Sequence, residues 1–252
     1  MFEILILSLI QGVTEFIPVS SSSHLVIISD YLNFDNKSLI VDVSLHIGSF
    51  LAVVTFFYKE IINFVKNKDL FLKIFLSSIP VMIIGFFLVE LNLINNLRNL
   101  KIIGWTTIIF GILLYISDKF KLTKELNYNF TYKNAVIIGL FQTLSLIPGV
   151  SRSGIVITSA RFLKFKRIDA AKISFLMSIP VLGAISIFGL RELHATDDLG
   201  LSVISLASVV FSFLFSLITI KFFLMYIRKF NLLIFVIYRI LLGAFLLKIS
   251  YL

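Results

Sequence analysis

The sequence predicts an all-α integral membrane protein, a single membrane domain over residues 1–252 with an inverted-topology repeat. Three observations predict this class: a strongly apolar composition, hydrophobic stretches long enough to cross a bilayer, and two further stretches that proline interrupts. Apolar residues make up 58% of the 252 residues and charged residues only 15%. This is too little polar surface for a water-soluble protein of this length. The chain has no cysteine, which excludes disulfides and thiolate metal sites.

Hydropathy separates full spans from interrupted segments. About six full transmembrane helices of roughly 20 residues each are predicted, over residues 39–58, 71–91, 101–117, 171–191, 201–224 and 232–250. Pro18 interrupts segment 1–30, and Pro148-Gly149 interrupts segment 134–163. Because proline in mid-helix removes a donor and clashes with the preceding turn, each segment is predicted to be a re-entrant helix-loop-helix hairpin. Irregular backbone at membrane depth needs surrounding protein or water, which indicates an internal cavity.

The chain also shows a weak internal repeat. A shift of about 130 residues places Pro18 on Pro148 and Ser21 on Ser151. We therefore predict two halves, about 1–117 and 134–252, joined by a polar linker, 118–133. Each half contains one hairpin and three spans, and an odd number of crossings inverts one half relative to the other. The two interrupted helices are then expected to meet near the bilayer midplane.

Basic residues predict the orientation. On this topology most of them fall on one side, among them Lys59, Lys119, Lys164, Arg167 and Lys229. The positive-inside rule makes that side cytoplasmic, so both termini face outward. Topology accounts for most of the net charge of +9, and a nucleic-acid partner is not expected.

The first interrupted segment carries a candidate catalytic group. Gln11 and Glu15 are four residues apart and share a helix face. Ser20 and Ser21 precede His24 by four and three residues, so a helix would bring hydroxyl and imidazole to one side. A hydroxyl beside a base and a carboxylate is the arrangement of an activated nucleophile. The alternative is that the serines cap the second half-helix and that His24 makes an interface contact.

The second interrupted segment carries a candidate anion site. Arg152, flanked by Ser151 and Ser153 and followed by Gly154, stands where a half-helix should begin. Helix N-termini favour anions, and the arginine fork matches phosphate oxygens. The alternative is an arginine that snorkels to the membrane surface.

Four polar residues of the spans and hairpins are expected to be less important. Asp42 and His46, one turn apart, are either a second shell of the cavity or a structural hydrogen-bonded pair. Arg161 and Arg239 are expected to snorkel or to pair with lipid phosphates.

The two motifs resemble those of bacterial undecaprenyl-diphosphatases of the bacitracin-resistance type. Residues 11–24 are similar to the glutamate-rich motif of that family, and residues 148–154 to its PGxSRS motif. The resemblance extends through residues 48–54, 174–180 and 237–239, and so spans nearly the whole chain. It departs at Ser22-Ser23, where relatives commonly have Thr-Gly, and at Val156, where they have threonine. Gln11 stands where relatives have glutamate or glutamine.

The resemblance implies a function and a set of site residues. The expected reaction is hydrolysis of undecaprenyl diphosphate to undecaprenyl phosphate and phosphate, which recycles the lipid carrier for peptidoglycan synthesis and gives bacitracin resistance. The implied catalytic residues are Glu15, Ser21, His24 and Arg152. The implied substrate-binding residues are Ser20, Ser151, Arg152, Ser153 and Gly154. Glu15 and Gln11 are implied to hold a divalent cation, Mg²⁺ or Ca²⁺, although one carboxylate fewer weakens such a site.

Several alternatives stay open at this stage. Ser21 activated by His24 would form a phosphoserine, whereas His24 or Glu15 would activate water directly. A transporter or flippase of a polyprenyl phosphate is the rival function, because inverted repeats and broken helices also build transporters. The expected setting is the bacterial inner membrane, multi-pass, with the lipid bilayer as a partner and the site open to the periplasmic side. A homo-oligomer is compatible with the sequence.

Overall fold

The computed structural model describes residues 2–31, 39–66, 68–91, 93, 99–120, 123–195 and 203–252. These residues are almost entirely helical, and the β pairing among them is one isolated bridge between Lys124 and Phe165. The helices are α1 Phe2–Thr14, α2 Ser21–Tyr31, α3 Leu39–Phe56, α4 Tyr58–Lys66, α5 Lys68–Glu90, α6 Leu100–Asp118, α7 Leu126–Asn129, α8 Tyr132–Gln142, α9 Arg152–Phe162, α10 Arg167–Ala195, α11 Val203–Lys229 and α12 Leu233–Tyr251. A 3₁₀ turn, Thr143–Leu146, follows α8.

The predicted all-α membrane class is confirmed. Among the described residues, five helices are long and apolar enough to cross a membrane: α5, α6, α10, α11 and α12. The sixth predicted span, 39–58, is shorter: α3 ends at Phe56, and α4 begins at Tyr58. Many large apolar side chains of these helices are exposed, as at Phe222 (61%) and Leu241 (65%). Such a surface suits lipid and not water.

Both predicted hairpins are present. The first consists of α1 and α2 and has a non-helical tip at residues 15–20, the first tip. The second consists of α8, the 3₁₀ turn and α9, with its second tip at residues 147–151. Each tip ends on a serine with positive φ, Ser20 at 81° and Ser151 at 70°. By conformation, therefore, Ser151 corresponds to Ser20, whereas the sequence repeat paired it with Ser21.

The two halves of the chain follow a similar order of elements. In the first, the α1–α2 hairpin precedes α3, α5 and α6; in the second, the α8–α9 hairpin precedes α10, α11 and α12. The division into two halves at 118–133 stays a prediction. The inverted relation of the halves stays a prediction.

Close helix crossings bring the halves together. Helix α11 packs on α1 and α3, and α12 packs on α6. A Cβ on Gly48 would lie 2.4 Å from the carbonyl oxygen of Val209, so only glycine permits this α3–α11 approach. Serines hydrogen-bond across the same interface: Ser212 donates to the Leu45 carbonyl at 2.7 Å. Small residues and interhelical hydroxyls are how membrane helices associate without a hydrophobic driving force.

Asp118 ties several helix ends together at the start of the linker. Its carboxylate pairs with Arg161 at 3.1 Å and with Arg167 at 2.7 Å, and it accepts from the backbone N–H of Leu232 at 3.1 Å. Arg161 is fully buried. The prediction that Arg161 snorkels is therefore wrong, because the Asp118 carboxylate and the carbonyls of Phe165 and Asp118 bind its two terminal nitrogens inside the protein.

Candidate functional site

The two tips meet inside the helix bundle. Arg152, the first residue of α9, places Nη2 3.1 Å from Oε1 of Glu15 in the first tip. Ser153 donates its hydroxyl to the carbonyl oxygen of Ile17 at 2.8 Å. The two side chains of the ion pair are largely shielded, with exposed fractions of 11% for Arg152 and 7% for Glu15. The structure thus brings together the two motifs that the sequence singles out.

The Glu15 carboxylate is the centre of the contact network. Besides Arg152, it accepts from the Ser21 hydroxyl at 2.8 Å and from Gln11 Nε2 at 3.2 Å, both through Oε2. The Gln11 contact follows from their spacing of four residues at the end of α1. Ser21 reaches the carboxylate because the chain reverses at the first tip. Glu15 therefore stands where it can orient a hydroxyl and accept its proton.

His24 has different partners from those expected. Its Nδ1 lies 2.6 Å from the carbonyl oxygen of Ser20, so this nitrogen carries the proton and donates. Nε2 lies 2.5 Å from the hydroxyl of Tyr238, from which it accepts. No hydrogen bond joins Ser21 to His24 within the described part of the chain. The expected Ser21–His24 pair is thus not formed here, because the nearer carboxylate takes the hydroxyl and Tyr238 takes the imidazole.

The hydroxyls of Ser151 and Ser20 contact groups within three residues of themselves in the chain. Ser151 caps α9 by accepting from the Gly154 N–H at 3.1 Å, and its hydroxyl lies 3.2 Å from that of Ser153. Ser20 lies 2.9 Å from Ser23, oxygen to oxygen. Ser151 is thus a helix cap, a role that the sequence alternative gave only to the serines of the first interrupted segment. Substrate binding by Ser20, Ser151, Ser153 and Gly154 stays a prediction.

Arg239 is a functional candidate that sequence reasoning misjudged. It is fully buried and donates to the carbonyls of Thr107, Pro18, Gly149 and Val150 at 2.9–3.2 Å. The prediction that it snorkels is wrong, because its guanidinium lies between the two tips and not at the membrane surface. The sequence did contain a signal for this role, because Arg239 lies in residues 237–239, one of the segments that resemble the family.

His46 lies next to the site. Its Nδ1 is 3.1 Å from Gln11 Nε2, which identifies it as an acceptor for that amide. The amide of Gln11 therefore bridges His46 and Glu15. This agrees with the second-shell alternative for His46. The side chain of Asp42 is exposed.

Several buried polar atoms at the site have no hydrogen-bond partner among the described residues. They are Gln11 Oε1, Arg152 Nε and the hydroxyl of Ser174, whose carbonyl accepts from Arg152 Nη1 at 3.2 Å. Buried polar groups are nearly always hydrogen-bonded, to protein, water or a ligand. A bound group could therefore donate a hydrogen bond to Gln11 Oε1, beside Glu15, and accept one from Arg152 Nε.

The donor set bears on the expected cation. Among the described residues, no three His, Cys, Asp or Glu side chains come together as a metal cage. Glu15 offers one carboxylate, and Gln11 Oε1 is an unpaired oxygen next to it. Mg²⁺ keeps several waters and commonly binds one or two carboxylates plus substrate phosphates. The residues present fit a partial site of that kind, which a diphosphate would complete.

Comparisons with known proteins identify the family of the chain. The family described as "Bacitracin resistance protein BacA" matches residues 4–245. The chain is 48% identical over 250 residues to an undecaprenyl-diphosphatase of Pelagibacter ubique (strain HTCC1062), with 99% of this chain and 97% of the relative covered. It is 36% identical to an undecaprenyl-diphosphatase of Jannaschia sp. (strain CCS1), with 100% and 99% covered. A third relative so named, from Hahella chejuensis (strain KCTC 2396), is 39% identical, with 97% and 96% covered. The chain belongs to the bacitracin resistance protein family BacA.

Proposed function

We propose that this membrane protein hydrolyses undecaprenyl diphosphate to undecaprenyl phosphate and inorganic phosphate. The reaction recycles the lipid carrier for peptidoglycan synthesis and gives resistance to bacitracin. The observation that carries the proposal is the buried contact of Glu15 with Arg152, which joins the two family motifs. The chain is also 48% identical to a relative named undecaprenyl-diphosphatase. The setting is the bacterial plasma membrane, with the site open to the periplasmic side.

The first chemical requirement is to bind a charged head group inside a membrane protein. Arg152 supplies a permanent cation with a planar fork, and its Nε has no partner in the part of the chain that the structure describes. The α9 N-terminus adds its positive dipole end. When the terminal phosphate binds, Arg152 exchanges part of its Glu15 contact for phosphate oxygens. The exchange frees Oε1 of Glu15.

The second requirement is a nucleophile. The Ser21 hydroxyl donates to Glu15 Oε2 at 2.8 Å, so the carboxylate accepts its proton as the oxygen attacks the terminal phosphorus. A bond forms between Ser21 Oγ and phosphorus, and the anhydride bond breaks. Its electron pair goes to the bridging oxygen of undecaprenyl phosphate. Water then attacks the phosphorus of the phosphoserine while Nε2 of His24 accepts a proton from that water. The bond between phosphorus and Ser21 Oγ breaks, its electron pair goes to Oγ, Glu15 returns its proton to Oγ, and phosphate leaves.

The third requirement is to neutralise the phosphate charge, for which Arg152 alone is insufficient. A bound Mg²⁺ or Ca²⁺ would lower the charge on the phosphate oxygens. Glu15 and Gln11 Oε1 are the groups that would hold it. Ser20 and Ser151 at the ends of the tips, and Ser153 and Gly154 in the first turn of α9, would contact phosphate oxygens.

Phosphate release tests the proposal. The purified protein in detergent is given undecaprenyl diphosphate with and without Mg²⁺ or Ca²⁺, beside His24→Ala and Arg228→Ala. We expect cation-dependent release that is lost in His24→Ala and kept in Arg228→Ala, since Arg228 is exposed at the end of α11. Absence of release from the folded wild type under every cation would overturn the proposal.

A quenched reaction separates the two hydrolytic routes. Acid quenching during turnover, followed by mass spectrometry, should find a phosphorylated Ser21 peptide that is absent from Ser21→Ala. An unmodified Ser21 during rapid turnover would instead indicate direct attack by water. The three relatives cited are all named for hydrolysis, which favours an enzyme over a transporter.

A further inference from the structure

Arg239 is a buried cation to which the hydrolytic mechanism assigns no step. It reaches from α12 to three separate elements, and its side chain is fully buried. Nη1 donates to Pro18 of the first tip at 3.2 Å. Nη2 donates to Gly149 and Val150 of the second tip at 2.9 and 3.1 Å. No carboxylate in the described ranges pairs with it.

The tips need such a donor because their backbones lack helical partners. Pro18 and the Pro148-Gly149 pair end the first half-helices, and carbonyl groups left inside a membrane protein must find donors. A guanidinium presents five N–H groups in one fixed plane. One arginine can therefore bond carbonyls of both tips at once, which a lysine with a single ammonium does less well.

Two glycines leave the space that the guanidinium occupies. A Cβ on Gly154 would lie 2.9 Å from Arg239 Nη1. A Cβ on Gly111 of α6 would lie 3.1 Å from Arg239 Cβ and 3.5 Å from its Nε. Gly154, which the sequence analysis assigned to substrate, is thus also needed for clearance. The arginine is enclosed from α6 and from α9.

We propose that Arg239 is a positioning residue that holds the two tips at the separation at which Arg152 meets Glu15. Pro18 is three residues from Glu15, and Val150 is two residues from Arg152. The hydrogen bonds of Arg239 thus fix the backbone on both sides of the ion pair, although Arg239 bonds neither side chain. The catalytic part of this proposal rests on the hydrolysis proposed above. The structural part, that Arg239 fixes the separation of the tips, does not depend on that function.

Kinetics test the catalytic part. Arg239→Lys keeps the charge but loses the fork, so the tips should shift while each catalytic side chain remains. A misplacement of about 1 Å can cost about 10²-fold in rate. We expect kcat to fall about 10- to 100-fold with KM changed less than about threefold. A wild-type kcat in folded Arg239→Lys would overturn the proposal.

A matched glycine pair separates positioning from general destabilisation. Gly111→Ala presses on Arg239, whereas Gly104→Ala presses on Leu247 in the same α6–α12 interface, with Cβ 2.8 Å from Leu247 Cδ2. At equal thermal stability, we expect Gly111→Ala to lower kcat severalfold and Gly104→Ala to leave it unchanged. Equal kcat in the two variants would contradict a specific role for Arg239.

Distance measurement tests the geometry without relying on activity. The chain has no cysteine, so two introduced cysteines can be spin-labelled cleanly. Labels at Val13 and Ser145, just before the two tips, should give a narrow distance distribution that widens or shifts in Arg239→Lys. An unchanged distribution would overturn the proposal, and an accompanying loss of kcat would then assign Arg239 a direct effect on the substrate. If the wild type releases no phosphate, hydrolysis fails and this measurement still decides the role of Arg239.

Discussion

The two tips share a backbone design but differ in what their side chains do. Both interrupt a helix near proline and end on a serine with positive φ, Ser20 and Ser151. In the first hairpin, Ser21 and His24 bond groups outside their own helix, Glu15 and Tyr238. The first hairpin therefore supplies the groups that can exchange protons.

The second hairpin is built as a support. Every residue from Ser153 to Arg161 in α9 is buried. The hydroxyls of Ser151, Thr158 and Ser159 bond backbone groups of α9 itself. Arg152 alone of this helix ion-pairs with the first tip. The first hairpin is thus the reactive segment, and the second is a support that presents one cation, Arg152. Variants in each hairpin test this division of roles.

The largest effect is expected from Arg152→Ala, which removes the single charge that the support presents. Loss of an arginine that binds a transferring phosphoryl group costs about 10³- to 10⁵-fold in rate. We expect kcat/KM to fall by about 10⁴-fold while the protein stays folded, since Arg152 is at the helix start. Arg152→Lys should recover part of this rate. A loss below tenfold would contradict the division.

Ser21 and Ser151, one serine from each hairpin, should respond differently to alanine. Ser21→Ala removes the proposed nucleophile, and we expect phosphate release to fall by about 10³-fold at unchanged stability. Ser151→Ala removes the cap of α9, which costs about 1 kcal/mol of stability, and should lower the rate much less. Thermal unfolding and phosphate release, measured on both variants, separate the two roles. A reversed pattern would make the second tip the reactive one.

Tyr238→Phe tests the partner of His24 with a smaller change. The phenyl ring keeps the stacking on His24, whose ring centre lies 5.7 Å away, and loses only the hydroxyl bond to Nε2. One hydrogen bond is worth about 1 kcal/mol, so kcat should fall about 5- to 10-fold with little change in KM. Phe245→Leu, on the exposed side of α12, is the matched control. A wild-type kcat in Tyr238→Phe would show that the Tyr238 hydroxyl does not orient the His24 imidazole for catalysis.

Sequence reasoning predicted the features that depend on neighbouring residues. The hairpin breaks and five of the six spans follow from proline and hydropathy, which act locally. The repeat register at the tips was one residue wrong because Pro18 stands two residues before its positive-φ serine and Pro148 stands three before its own. A register based on proline could not detect this difference.

Features that depend on distant packing could not be predicted. The partner of His24 lies 214 residues away in α12, and helical spacing pointed to the nearer Ser21. Arg161 and Arg239 stand in apolar helices, where the sequence does not show whether an arginine faces lipid or protein. Their fixation by Asp118 and by the tip carbonyls depends on how the helices pack.

The smallest effect on the rate is expected from Gln11→Glu, which replaces the amide next to Glu15 in the first hairpin with a carboxylate. Gln11→Glu would place a second carboxylate about 3 Å from Glu15, judged from the contact of Gln11 Nε2 at 3.2 Å. Two carboxylates repel unless a cation lies between them, and hard cations prefer charged oxygen ligands. We expect the half-saturating Mg²⁺ concentration for phosphate release to fall severalfold, with kcat at saturating Mg²⁺ within about twofold. Gln11→Met, which provides no oxygen, is the control and should raise that concentration. If Mg²⁺ dependence is the same in all three proteins, the cation does not bind at this pair, and the first tip then acts through Ser21, Glu15 and His24 without a metal ligand of its own.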